Sequence, residues 1–131
     1  MRTLRRKALV LTTTGIAAGG LLLATAPAAS AEVEKSKRGN CSKSSTWHLD
    51  LEKDDGQIDI DFEGQTSKAG KTWKFKVKQN GVVRHKGKTV TEADGEFDVD
   101  RDVKDRSGTD TIVVRAKQGA SGEVCKAKLS I

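Results

Sequence analysis

Hydrophobic and polar residues alternate strictly in several short stretches of the chain. In residues 72–78, Trp73, Phe75 and Val77 alternate with three lysines. This period of two places apolar side chains on one face of a strand and charged side chains on the other, which predicts half-buried antiparallel strands. The same pattern recurs in residues 47–52, 57–63, 95–101, 109–117 and 123–131.

Short polar stretches containing glycine separate these predicted strands. Asn80-Gly81 is typical of a type I′ hairpin turn, because both residues tolerate positive φ. Its second arm, residues 82–88, alternates poorly and contains Gly87, so we expect a short edge strand there. About seven strands at spacings of about ten residues predict an all-β, antiparallel two-sheet sandwich over residues 46–131.

The N-terminal region does not follow this pattern. Residues 1–31 combine four basic residues in the first seven, an apolar run and the small residues Ala29, Ser30 and Ala31. This order is typical of an N-terminal signal peptide cleaved after Ala31. We therefore expect a secreted, extracellular protein with no membrane segment after cleavage. Residues 32–45 show no periodicity and are predicted to be a flexible N-terminal arm.

Removal of the predicted signal peptide changes the interpretation of the net charge and of the two cysteines. Lys and Arg fall from 24 to 20 against 18 acids, so the net charge falls from +6 to +2, and a nucleic-acid partner is not expected. Cys41 and Cys125 are the only cysteines, and in an oxidising compartment they predict one disulfide.

The stretch DRSGTDTIVVRAK at residues 105–117 resembles the E–F corner and F strand of bacterial immunoglobulin-like domains. In those domains a Gly-x-Asp-x element leads into an alternating strand. The chain is also similar to small secreted proteins of uncharacterised function from Gram-positive bacteria. The resemblance implies an immunoglobulin-like sandwich, with strands A, B and E in one sheet and C, F and G in the other. The chain departs from the family in having no Tyr and no cysteines on strands B and F.

Charge is strongly segregated along the chain. Residues 50–63 and 92–110 carry net charges of −6 and −5, whereas residues 68–88 and 115–128 carry +8 and +3. On the implied sheet arrangement, one outer face is acidic and the other basic. The candidate acidic face comprises Asp50, Glu52, Asp59, Asp61, Glu96, Asp98 and Asp100. The candidate basic binding face comprises Lys74, Lys76, Lys78, Arg115, Lys117, Lys126 and Lys128.

Other residue patterns give weaker indications of a metal site, an enzyme or a sugar-binding surface. Asp98, Asp100 and Asp102 begin like a calcium loop, but Val103 and Thr109 stand where that loop needs Gly and Glu. Two histidines, His48 and His85, lack further clustered ligands for zinc. No nucleophile motif indicates an enzyme, so no catalytic residue, metal or cofactor is expected. Trp47 and Trp73 lie in phase with the apolar faces of their strands, which favours core packing over a sugar-stacking platform.

The expected function is therefore non-enzymatic binding or a structural role. The Lys-rich face is expected to bind an anionic cell-wall polymer, such as teichoic acid, or another protein through screened electrostatic attraction. Charged outer faces also simply keep small secreted sandwiches soluble, which is the alternative to a binding role. Two further alternatives are a secreted inhibitor of an extracellular enzyme that presents a disulfide-anchored loop, and a carbohydrate-binding module.

Overall fold

The computed structural model describes residues 32–131, so the predicted signal peptide at residues 1–31 lies outside the described residues. The described part consists of eight strands and contains no helix, in agreement with the predicted all-β class. None of its residues forms a helix long and apolar enough to cross a lipid bilayer. The strands are β1 Val33–Asn40, β2 Thr46–Asp54, β3 Gln57–Gln65, β4 Thr72–Gln79, β5 Val82–Val90, β6 Glu96–Lys104, β7 Thr111–Gln118 and β8 Val124–Ser130.

Two four-stranded antiparallel sheets form a sandwich. The first has the order β1-β2-β3-β6 and the second the order β5-β4-β7-β8. Strands β2, β3 and β6 thus share one sheet and β4, β7 and β8 the other, as expected. Asn80 and Gly81 join β4 to β5 with φ values of 50° and 82°, and these positive angles are those of the predicted hairpin turn.

Residues 32–45 were expected to be a flexible arm, and this prediction is wrong for most of the segment. Residues 33–40 form β1, which pairs along its whole length with residues 46–53 of β2. The strand has no apolar period because nearly all of its residues are exposed. Backbone hydrogen bonds with β2 hold β1 in the sheet. In addition, the amines of Lys35 and Lys37 donate hydrogen bonds to the carbonyls of Ser130 and Lys128 on β8.

Strand β5 lies at a sheet edge as predicted, but it is nine residues long rather than short. A bulge disturbs its alternation: Val77 pairs with His85 and Lys78 with Val83, which leaves Arg84 as the extra residue. The inserted residue shifts the side-chain alternation by one position. This shift explains why the sequence of residues 82–88 alternates poorly.

The core lies between the two sheets and contains all five aromatic residues of the chain. Four rings form a continuous row, with centroids 6.2 Å apart for Trp47 and Phe62, 6.1 Å for Phe62 and Phe97, and 4.7 Å for Phe97 and Trp73. Trp47 and Trp73 are 7% and 0% exposed, so the prediction that both pack in the core is confirmed.

Cys41 and Cys125 form the predicted disulfide, which joins the β1–β2 connection to β8 in the opposite sheet. The closed loop, with a sequence separation of 84, corresponds to about 4.5 kcal/mol in the chain-entropy model. The buried carboxylate of Glu123 accepts hydrogen bonds from the amide and hydroxyl of Ser45, which strengthens the same junction. The two sheets are therefore held together covalently and by buried polar contacts.

Candidate functional site

The outer surface of the β5-β4-β7-β8 sheet is uniformly cationic. The seven expected basic residues all lie on its outward positions and are exposed. Lys86 and Lys88 of β5 extend the same surface. We call this surface the basic face, and it comprises Lys74, Lys76, Lys78, Lys86, Lys88, Arg115, Lys117, Lys126 and Lys128.

Strand register arranges these cations in rows across the sheet. The central row contains Lys86, Lys76, Arg115 and Lys126, one from each strand. Lys88, Lys74 and Lys117 form the row on one side of it. Neighbouring strands are about 4.8 Å apart and successive outward residues about 6.8 Å, so the cations form a regular two-dimensional array.

No acidic residue interrupts this array among the described residues. The outward positions between the cations are taken by uncharged residues such as Val113 and Val124. The ion pairs of His48 with Asp50 and of Lys53 with Asp105 both lie away from this sheet. Because no carboxylate stands among these cations on their own sheet, their charges face solvent and are available to an anionic partner.

Sequence reasoning missed Lys86 and Lys88 because their strand did not show clear alternation. The bulge occurs before His85, so from there to the end of β5 the strand alternates regularly. Within residues 85–89, lysines alternate with His85, Gly87 and Thr89, all of which are half-buried. A reading of this shorter window would have placed both lysines on the outer surface.

The outer surface of the β1-β2-β3-β6 sheet carries the opposite charge. The seven expected acids all lie on outward positions, and Glu34, Asp54, Glu63 and Asp102 join them. The basic residues on this surface are Arg38, His48 and Lys104. We call it the acidic face; its acids are Glu34, Asp50, Glu52, Asp54, Asp59, Asp61, Glu63, Glu96, Asp98, Asp100 and Asp102.

Burial and neighbouring carboxylates raise the pKa values of two acids on the acidic face. Burial raises the pKa of Asp61, and the negative charges of Glu63, Asp100 and Asp50 raise it further, while His48 opposes them. The pKa of Asp59 is also raised, mainly by burial and then by a side-chain hydrogen bond with Asp102. The charged forms of these two groups are thus disfavoured in the folded protein.

Carboxylate oxygens of Glu63, Glu96 and Asp98 lie within 4.8 Å of one another, a spacing that could accommodate a metal ion. Exposed acidic groups of this kind are common on proteins without a bound ion, and no metal role follows from this group alone. Asp98, Asp100 and Asp102 alternate along β6 on its outward side. They are part of a strand, so they do not converge as the ligands of a calcium loop do.

The two histidines lie on different sheets and have separate partners. His48 Nε2 lies 3.2 Å from Asp50 Oδ1, and His85 Nε2 lies 2.7 Å from the carbonyl oxygen of Asp102. They therefore do not share a zinc site. No aromatic ring among the described residues is exposed, since the buried Trp and Phe side chains account for all five, and a sugar has no ring to stack on there.

The arrangement is that of two surfaces of opposite charge. Many similar cations lie on the outer side of one sheet, and many carboxylates lie on the outer side of the other. Comparison of the chain with family models, curated proteins and solved structures finds no match.

Proposed function

We propose that this protein is a secreted, non-enzymatic binding domain that docks on an anionic cell-wall polymer through its basic face. The observation that carries the proposal is the array of nine exposed cations without an acid on the β5-β4-β7-β8 sheet. We also propose that the scaffold is immunoglobulin-like, on the basis of the motif at residues 105–117 and the grouping of the strands.

A repeating array of cations suits a repeating anion better than it suits a small ligand. Each exposed Lys contributes little alone, because solvent screens its charge and its side chain loses entropy on pairing. Several pairs formed together on one polymer chain add up through their high effective concentration. Lys is a flexible point charge, so a Lys-rich face tolerates variable spacing of phosphates along a polymer such as teichoic acid.

The compartment supports this choice of partner. A disulfide is consistent with an oxidising, extracellular location. The predicted signal peptide would deliver the chain to the cell surface, where the wall polymers of Gram-positive bacteria present dense negative charge.

Co-sedimentation with purified teichoic acid-containing cell wall over a salt series tests the proposal. We expect binding at about 0.1 M salt and loss of it by about 1 M, where the screening length falls from about 10 Å to about 3 Å. Replacing the central pair, Lys76→Gln with Arg115→Gln, should weaken binding at least tenfold. A matched control, Lys68→Gln with Arg106→Gln, removes two exposed charges outside the basic face and should leave binding unchanged.

Two results would contradict the proposal. Equal weakening by both double variants would show that only net charge matters. Binding that persists at about 1 M salt would indicate a packed, non-electrostatic contact, such as that of an enzyme inhibitor.

A further inference from the structure

The two outer faces of the sandwich match in geometry and oppose in charge. Both are four-stranded antiparallel sheets, with outward side chains at the same spacing along and across the strands. The acidic face has eleven carboxylates against Arg38 and Lys104, and the basic face has nine cations. In the acidic array, Asp50, Asp61 and Asp100 form one row across three strands, comparable to the central row of cations.

We propose that the acidic face of one copy binds the basic face of a second copy, so that the protein stacks head to tail. Each face repels a copy of itself, which excludes a two-fold dimer built from like faces. Because the two faces lie on opposite sides of one sandwich, each added copy presents a new face, and the contact extends into an open row.

Crowding on the acidic face supports this pairing. Asp50, Asp61 and Asp100 are direct cross-strand partners, so like charges repel there. This repulsion adds to burial in raising the pKa of Asp61. The array of cations on a second copy would relieve that repulsion. The mature chain is close to neutral overall, so no large net charge keeps two copies apart.

The area of the contact limits its strength. Each sheet has four strands about 4.8 Å apart, and its strands contain seven to nine residues at about 3.3 Å each, which gives roughly 500 Å² per face. The total of about 1,000 Å² falls below the range of stable complexes, which begins at about 1,200 Å². We therefore expect weak, reversible association that depends on low salt or high local concentration.

Two variants, each with one face neutralised, test the pairing directly. Four reversals to Glu bring the basic face from nine positive charges to a net +1. Four reversals to Lys bring the acidic face, which has eleven acids together with Arg38 and Lys104, from a net −9 to a net −1. The first variant carries Lys74→Glu, Lys76→Glu, Arg115→Glu and Lys117→Glu, and the second carries Asp50→Lys, Asp59→Lys, Asp61→Lys and Asp100→Lys.

Sedimentation velocity measures the outcome on protein purified after expression of the full chain in a secreting host. At about 10 mM salt, where the screening length is about 30 Å, the average mass of the unmodified protein should rise with concentration and return to monomer at about 1 M. Each variant alone should remain monomeric. Their mixture should form a one-to-one dimer and nothing larger, because each has only one active face.

Several results would overturn the inference. These are an unmodified protein that stays monomeric at low salt and millimolar concentration, a variant that associates alone as the unmodified protein does, or a mixture that stays monomeric.

The salt series on the unmodified protein remains decisive even if a variant fails to fold, because that series uses no variant. Circular dichroism shows whether each variant is folded. The variant with a neutralised acidic face retains its basic face and should still sediment with wall polymer, which separates failure of stacking from failure of polymer binding.

Discussion

Asp110 and Asp61 show how differently one residue type behaves in this sandwich. Asp110 is fully buried, yet its carboxylate accepts hydrogen bonds from Gln79, Asn80 and the amide of Arg106 at 2.8–3.0 Å. Burial raises the pKa of Asp110, but these hydrogen bonds outweigh it and hold the pKa below its usual value. The pKa of Asp61 is shifted in the opposite direction, because burial raises it and the neighbouring carboxylates add to the effect. Local partners, rather than residue type, determine whether the charge stabilises the fold.

Asp110→Ala should lower the free energy of unfolding by about 3 kcal/mol at pH 7, because three donors would lose their acceptor. The pKa of Asp110 is lower in the folded protein than the value of 3.8 expected for the unfolded chain. Its ionised form therefore stabilises the fold above pH 3.8, and this stability is lost as the pH falls through the pKa of the folded protein. The difference from the unmodified protein should therefore shrink in strong acid. Urea unfolding at pH 7 and in strong acid measures this, with Thr109→Ala in the same loop as a near-neutral control. An equal difference at both pH values would contradict the assignment.

Asp61→Asn should stabilise the fold at pH 7 by about 0.5 kcal/mol, since like charges on neighbouring strands repel and solvent screens part of the effect. The folded pKa of Asp61 is raised, so its ionised form destabilises the folded state above that pKa. The advantage of the Asp61→Asn variant should disappear as pH falls through the folded pKa and below 3.8. Thermal unfolding over this pH range measures it. Glu92→Gln, an exposed change outside the acidic face, should show no such gain.

At the scale of the element, strand register determines which residues meet across the sheet. Gly64 on β3 lies between Trp47 on β2 and Phe97 on β6. A Cβ at Gly64 would overlap ring carbons of Phe97, and one at Gly39 would overlap the ring of Trp47. Both glycines therefore make room for aromatic rings of the adjacent strand. The hydrophobic period of a single strand does not show this cross-strand requirement.

Gly64→Ala should lower the free energy of unfolding by about 2 kcal/mol, because the Phe97 ring is buried and has little space to shift. Gly119→Ala is the matched control: a Cβ there meets no atom within 4 Å, and the change should be near neutral. Chemical unfolding of the two variants side by side measures the difference. A neutral Gly64→Ala would show that Phe97 can move, and the proposed close packing would then be wrong.

At the scale of the whole molecule, the fold places positive and negative charges that are separated along the sequence on separate surfaces. Each stretch of like charge lies on strands of a single sheet, so the two faces differ in sign although residues 32–131 together carry a net charge of only +2. The repulsion within each face is a cost that an even distribution of charge would avoid. This cost is the physical reason to connect the layout with partners, both for the polymer proposed for the basic face and for the stacking of copies.

Strict alternation in the sequence determined most of the strands and their inward residues. It also determined the outward direction of the fourteen expected charges, because the side chains of a strand alternate between its two faces. The cysteine pair and the Asn80-Gly81 turn could also be predicted, since each depends on local chemistry or on a single pairing. The immunoglobulin-like assignment and the signal peptide stay predictions. Only the tertiary structure revealed β1 and the full length of β5. Strand β1 is held by backbone pairing and β5 contains a bulge, and neither property leaves a regular hydrophobic period in the sequence.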